Sequence, residues 1–148
     1  MTTHIRETII DTAENLIDAL TYKARVIPTF RAKRTNFTAD QLPAISIYQG
    51  DDEPRTIENI QTDRTLSILL EVVTYDEDNF ETAINEIAYL ITVALNADIK
   101  WGNSSIIDTN EIRTSRPEFD ANGEVKTATA IMQWDVDYRT STTDPSGA

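Results

Sequence analysis

The chain has 148 residues, with 25 Asp and Glu against 13 Lys and Arg, a formal net charge of −12, one His and no Cys. That length fits one domain with a self-sufficient core, and a 40% hydrophobic content separates it from disordered acidic tails. The missing cysteines exclude disulfides, thiol nucleophiles and Cys-ligated metals. His4 alone excludes a multi-histidine metal site, and the acid excess argues against general nucleic-acid binding, whose affinity comes from neutralising phosphates.

From about Thr3 to Thr21, Ile5, Ile9, Ala13, Leu16, Ile17 and Leu20 recur at helical spacing, with Glu7, Asp11, Glu14 and Asp18 on the other side. This predicts an amphipathic helix, capped by Thr2 or Thr3 without a capping box. Its charges interrupt any apolar run of signal-peptide length, and no later run approaches the roughly 18 residues of a spanning helix. A soluble protein, cytoplasmic where it is made, is expected. Arg25-Val26-Ile27-Pro28 reads as a short strand stopped by proline. From Thr29 to Asp40 neither period is present, and a long exposed loop is expected there.

Pro43 to Tyr48 alternates as a strand ending at Gly50, followed by a turn at Asp51-Asp52-Glu53-Pro54. Thr62 to Tyr75 carries Leu66, Ile68, Leu70 and Val72 at period two. Its opposite face holds Leu69, Val73 and Tyr75 with Glu71 between. Apolar residues on both faces imply a central strand covered on both sides, by the chain's own loops or by a neighbouring subunit. A second helix follows with Asp78 as N-cap and Glu81 as its capping-box partner. Its stripe is Phe80, Ile84, Ile87, Ala88, Ile91 and Leu95, widened by Tyr89 and Leu90 and ending near Asn96 or Ala97.

Ser104 to Phe119 reads as strand weakened by Pro117, Asn122-Gly123 as a turn, and Val125 to Arg139 as the clearest strand. Ala128, Ala130, Met132, Trp134, Val136 and Tyr138 share one of its faces; Thr127, Thr129, Gln133, Asp135, Asp137 and Arg139 dominate the other, with Ile131 the exception. Ser141 to Ala148 is a polar tail. The predicted fold is α+β, a mostly antiparallel sheet with two amphipathic helices packed on one face, over a single domain of residues 1–140.

Catalytic patterns are missing from this sequence. Asp135 and Asp137 share a strand face, Asp76 and Asp78 flank a helix start, and Asp51 to Glu53 crowd a turn; solvated surface and helix capping account for all of them. His4 reads as a surface residue, and Trp101 and Trp134 as core. There is no G-x-S-x-G elbow or Gly-rich phosphate loop, and Asp76-Glu77-Asp78 lacks the glycine and distal glutamate of a calcium loop. No catalytic, cofactor or metal residue is assigned.

Charge is unevenly spread. Before Ala44 there are six cations and five anions, and from Ala44 on seven and twenty. Lys23, Arg25, Arg31, Lys33 and Arg34 form a basic stretch with no acid until Asp40. It reads either as an interaction loop for an acidic surface, such as a second copy, or as a solvated loop. DNA contact through Phe30 and Phe37 is a third reading with no motif behind it.

The opening helix, Arg25-Val26-Ile27-Pro28, the polar loop, Leu42-Pro43-Ala44-Ile45-Ser46-Ile47-Tyr48, the long strand into the helix Phe80 to Leu95, Arg116-Pro117-Glu118-Phe119 and Ala130-Ile131-Met132-Gln133-Trp134-Asp135-Val136-Asp137-Tyr138 follow in an order that resembles the tail terminator proteins of long-tailed bacteriophages, the lambda-type minor tail protein U family. The resemblance runs from about Thr3 to Thr140 and rests on layout and short patterns; phage head–tail completion proteins share much of it. It implies a virion protein at the head-proximal end of the tail, made in the host cytoplasm. Such a protein forms a homo-hexameric ring, stops polymerisation of the tail tube protein and meets the head–tail connector, with no covalent chemistry, no cofactor and no membrane. DNA would pass the lumen unbound, helped by like charge. The basic loop would pack on the tube or a neighbouring subunit. A small enzyme or ligand-binding domain is the alternative outside this class.

Overall fold

The computed structural model describes residues 4–33, 37–57, 60–75, 79–120 and 125–141. The opening helix, α1, spans Ile5–Ile17, shorter than its apolar pattern, with His4 at the N-cap and no side-chain capping bond. Thr2 and Thr3 lie outside the described residues. Two-residue strands β1 (Thr21–Tyr22) and β2 (Arg25–Val26) pair as a hairpin of their own, followed by β3 (Thr29–Arg31). β4 (Ala44–Ile57), β5 (Gln61–Tyr75), β6 (Ile106–Thr114), β7 (Glu118–Asp120) and β8 (Thr127–Ser141) complete the strands, with α2 (Phe80–Asn96) between β5 and β6.

The main sheet runs β3-β4-β5-β8-β6, and β7 joins β8 beyond the end of β6. All its pairings are antiparallel except β3 with β4. The fold is α+β, as expected. α1 packs on α2 and β4, and α2 packs on β5 and β8, so the core lies between one sheet face and the helices. It contains Ile5, Ile9 and Ile17 of α1, Ile84, Ile87, Ile91 and Leu95 of α2, Leu66 to Val72 of β5 at period two, and the even-numbered face of β8. Trp101 and Trp134 are core, with ring centroids 6.3 Å apart. The Trp101 indole donates to the Leu95 carbonyl at 2.9 Å, occupying one of the acceptors that a helix C-terminus leaves open.

Several sequence expectations need correction. Gly50 does not end a strand and Asp51 to Pro54 is no turn, because β4 runs through both. The register with β5 slips between Gln49 and Asp52 and again between Pro54 and Thr56. Glycine and proline mark bulges in this strand, not its limits. A Cβ on Gly50 would stand 3.0 Å from both the Cβ and the carbonyl oxygen of Ser67, so the close approach of β4 to β5 requires glycine.

The expected loop Thr29 to Asp40 holds β3 at one end and enters a 3-10 turn, Ala39–Gln41, at the other. The Thr38 N–H donates to Gln41 Oε1 at 3.0 Å. Three residues are too few to show a period, and the parallel partner of β3 is distant in sequence. The α2 N-cap is Asn79 without a side-chain bond, not Asp78; Asp76, Glu77 and Asp78 lie outside the described residues, as do Asn122 and Gly123. Tyr89 is exposed and does not widen the α2 stripe. Ser141 belongs to β8, and the rest of the tail lies outside the described residues.

Candidate interaction surface

The sheet face away from the helices divides into three. At the Tyr75 end, Leu42, Ala44 and Val73 form a second small core that Phe30, Phe37, Tyr75 and Val125 cover. At the other end lies a polar ladder of β5 and β8. Thr65 donates to Asp137 at 2.7 Å and Ser67 to Asp135 at 2.9 Å, Arg55 pairs with Asp137 at 2.7 Å, and Arg139 pairs with Asp63 at 2.7 Å. The Arg139 hydrogen bond holds the Asp63 carboxyl below its usual range. Asp135 and Asp137 are thus occupied by neighbouring hydroxyl and guanidinium groups, an arrangement that organises a sheet surface and not an acid–base pair.

Between these two regions is a groove lined by Leu69, Thr129, Ile131 and Gln133 on its floor and by Arg113, Ser115 and Glu118 along its β6–β7 side. Glu71 stands beside it, opposite Ile131 on β8 and Ser46 on β4. Burial alone raises the Glu71 carboxyl above its usual pKa. Neither cross-strand neighbour carries a charge. Arg113, the cation on the groove side, stands opposite Gln133 and makes no ion pair with Glu71.

Asp52, at the first β4 bulge, holds the most enclosed carboxylate among the ion pairs of the described residues, its side chain 7% exposed. It accepts from the Tyr138 hydroxyl at 2.7 Å and lies 3.4 Å from Arg64 Nε and 3.6 Å from Arg6 Nε. Burial first, and then Asp52, push the Tyr138 phenol far up. The cluster joins α1, β4, β5 and β8. Its acceptors are used by its own donors, which marks a structural staple and not a site with a vacant position.

The basic stretch is mostly engaged within the chain. Arg25 donates to the Leu42 carbonyl at 3.0 Å and to the Asp40 carbonyl, closing the end of the 3-10 turn. Arg31 pairs with Asp11 and Glu14 of α1. The Lys33 ammonium lies 4.9 Å from the Phe30 ring centre and 5.1 Å from that of Phe37. Arg34 lies outside the described residues. Lys23 stands exposed at the tip of the β1–β2 hairpin, 5.5 Å from its own Tyr22 ring. The described docking cations therefore fall into two groups: Arg25, Arg31 and Lys33, which are engaged with the loop carbonyls, α1 and the Phe30 and Phe37 rings, and Lys23, which reaches solvent. His4 is exposed, and no group of three or more metal-ligating side chains occurs among the described residues.

The sheet edges are blunted. On β4 beyond Ile47 no strand follows β3 among the described residues. There, Pro54 supplies no N–H and two bulges break the register, devices that hinder strand addition. The two most exposed large apolar side chains among the described residues are at the β4–β5 hairpin end, Ile57 at 69% and Ile60 at 78%. No protein-family model matches this chain, and no match was found among the curated proteins compared with it.

Proposed function

We propose that this chain is a structural phage protein, a tail terminator that forms a ring on the tail tube, stops its growth and offers a surface to the head connector. The observation that carries the reading is the one-sided build of the domain. Both helices and the main core lie on one sheet face, while the other keeps an open groove, with Leu69 and Ile131 set among polar and charged side chains, beside an ordered polar ladder. Ile57 and Ile60, the two most exposed large apolar side chains among the described residues, supply a second contact point in this reading. No helix among the described residues is long and apolar enough to cross a membrane.

In this reading the protein works by shape and charge. The acid excess from Ala44 on disfavours retention of DNA phosphates at the ring lumen. Negative-stain imaging of the purified protein, alone and mixed with tail tubes, tests this. Rings seated on one tube end are expected, with tube growth halted when the protein is added during polymerisation. A protein that leaves tube ends bare and tube length unchanged refutes the reading.

A further inference from the structure

We infer that the groove over Leu69 and Ile131 receives the β1–β2 hairpin of a second copy of this chain, with Lys23 of the incoming hairpin meeting Glu71 and its Val26 resting on the apolar floor. The inference rests on the ring reading above and names the contact that would build the ring.

Two independent observations point to it. The first is the carboxylate. Glu71 is half-buried on a sheet face, flanked by Ser46 and Ile131, and makes no hydrogen bond or ion pair among the described residues. A carboxylate partly withdrawn from water gains from a cation beside it, and no described residue forms an ion pair with this one. A cation carried on an apolar support would complete it.

The second is the hairpin. Tyr22 and Arg25 are cross-strand partners, and so are Thr21 and Val26. Tyr22 packs on the main core and Arg25 is tied to the loop carbonyls, so the hairpin is anchored to the body by that pair. Thr21, Lys23 and Val26 remain exposed, Val26 to 56%. The two turn residues, Lys23 and Ala24, have φ of 51° and 63°. A two-residue turn with both residues left-handed strongly favours Asn and Gly. Here it carries a lysine and an alanine, and the Lys23 ammonium makes no ion pair among the described residues, lying 5.5 Å from its own Tyr22 ring. Strain held in a rigid loop is a mark of a functional constraint.

The cation and exposed valine of the hairpin match the Glu71 carboxylate and the Leu69 and Ile131 side chains of the groove, whose β6–β7 side carries both Arg113 and Glu118. The two surfaces are different parts of one chain, so the contact is head-to-tail, the type that closes into rings. Complementary charge fixes the partner and the register of such a contact.

The test is a charge exchange read by light scattering coupled to size exclusion and by sedimentation velocity over a concentration series. Wild type is expected to self-associate. Lys23→Glu and Glu71→Lys should each weaken that association at least about tenfold, and the double variant Lys23→Glu/Glu71→Lys should recover most of it. Glu71→Gln, which keeps the side-chain shape, should also weaken association while melting no lower than wild type, so a loss is separated from misfolding. A wild-type protein that stays monomeric at every concentration, single variants that associate normally, or an exchange that restores nothing would each overturn the inference. Tube-end capping is scored on the same samples. Variants that still form rings and cap tubes reject this contact and leave the terminator reading standing, whereas uncapped tubes with wild type reject that reading itself.

Discussion

Replacing Asp52 by Ala tests how far the cluster at the first β4 bulge holds the layers together. The side chain accepts from a Tyr138 hydroxyl that is itself buried, at 2.7 Å, and neutralises Arg64 and Arg6 at 3.4 and 3.6 Å. Without it the phenol has lost its acceptor, a cost of about 1–3 kcal/mol. Arg64 and Arg6 have side chains 24% and 40% exposed and can turn toward water, so their share stays below the roughly 3–5 kcal/mol of a fully buried broken pair. A net loss of about 2–4 kcal/mol is expected, which for this size lowers Tm by about 8–16 °C. Urea unfolding should show a lower midpoint with an unchanged slope. Asp52→Asn keeps an acceptor for Tyr138 and should lose less than half as much. Tyr138→Phe should cost about 1 kcal/mol alone and little more when added to Asp52→Ala, because the hydroxyl is then already unpaired. An Asp52→Ala protein within about 0.5 kcal/mol of wild type, or additive losses in the double variant, would refute the staple.

Three further outcomes follow from the same structure. Gly50→Ala forces a Cβ to within 3.0 Å of the Ser67 carbonyl oxygen; a loss of about 1–3 kcal/mol is expected in thermal melts, and an unchanged Tm would show that β4 shifts freely. Arg31→Ala removes two ion pairs to α1 whose members are all more than a third exposed; the cost should stay under about 1 kcal/mol and shrink further in 1 M salt, and a larger, salt-insensitive loss would show that β3 depends on them. Glu71 has its pKa raised by burial, so the folded protein binds this proton more tightly than the unfolded chain. The penalty is full at neutral pH, fades as pH falls through the raised pKa and is gone below the ordinary glutamate value of about 4.3. At a protein concentration where both are monomeric, Glu71→Gln should therefore unfold later than wild type at pH 7 and alike at pH 4. A gain that is independent of pH would contradict the assignment.

Elements that carry their own period were legible. The stripes of α1 and α2, the period of β5 and the alternation of β8 all survive folding, because each buries one continuous face against the same core. Interruptions were misjudged where a local signal meets a distant partner. Gly50 and Asp51 to Pro54 look like a strand end and a turn, yet β5 stays paired alongside and absorbs them as bulges. β3 is invisible for the same reason, since it exists only through β4. Among the candidate residues, the basic character of the stretch from Lys23 was visible, but its internal partners were not. Arg31 lies seventeen residues from Glu14 and Arg25 seventeen from Leu42, and composition is silent about such pairs. Glu71 was legible as the carboxylate set between Leu69 and Val73 on the second face of the strand, but its uncharged cross-strand neighbours, Ser46 and Ile131, come from distant parts of the chain.

The two-faced character of β5 is where sequence and structure together say more than either alone. Period two with apolar residues on both sides requires a second cover, and the strand alone does not say whose. The structure divides the cover by position. Val73 and Tyr75 meet Phe30, Phe37, Leu42 and Val125 of the same chain, so that part needs no neighbour. Thr65 and Ser67 enter a polar ladder that is satisfied while facing water. Leu69 and Glu71 belong to neither region; Glu71 stands opposite Ile131, the one apolar residue on the polar face of β8, and Leu69 stands opposite Gln133 and lines the same groove as Ile131. The break in the pattern of β8 and the break in the pattern of β5 coincide in space. Two such exceptions at adjacent positions form one patch, and it is this patch, with a carboxylate that no described residue pairs, that the proposed hairpin of a second copy would cover.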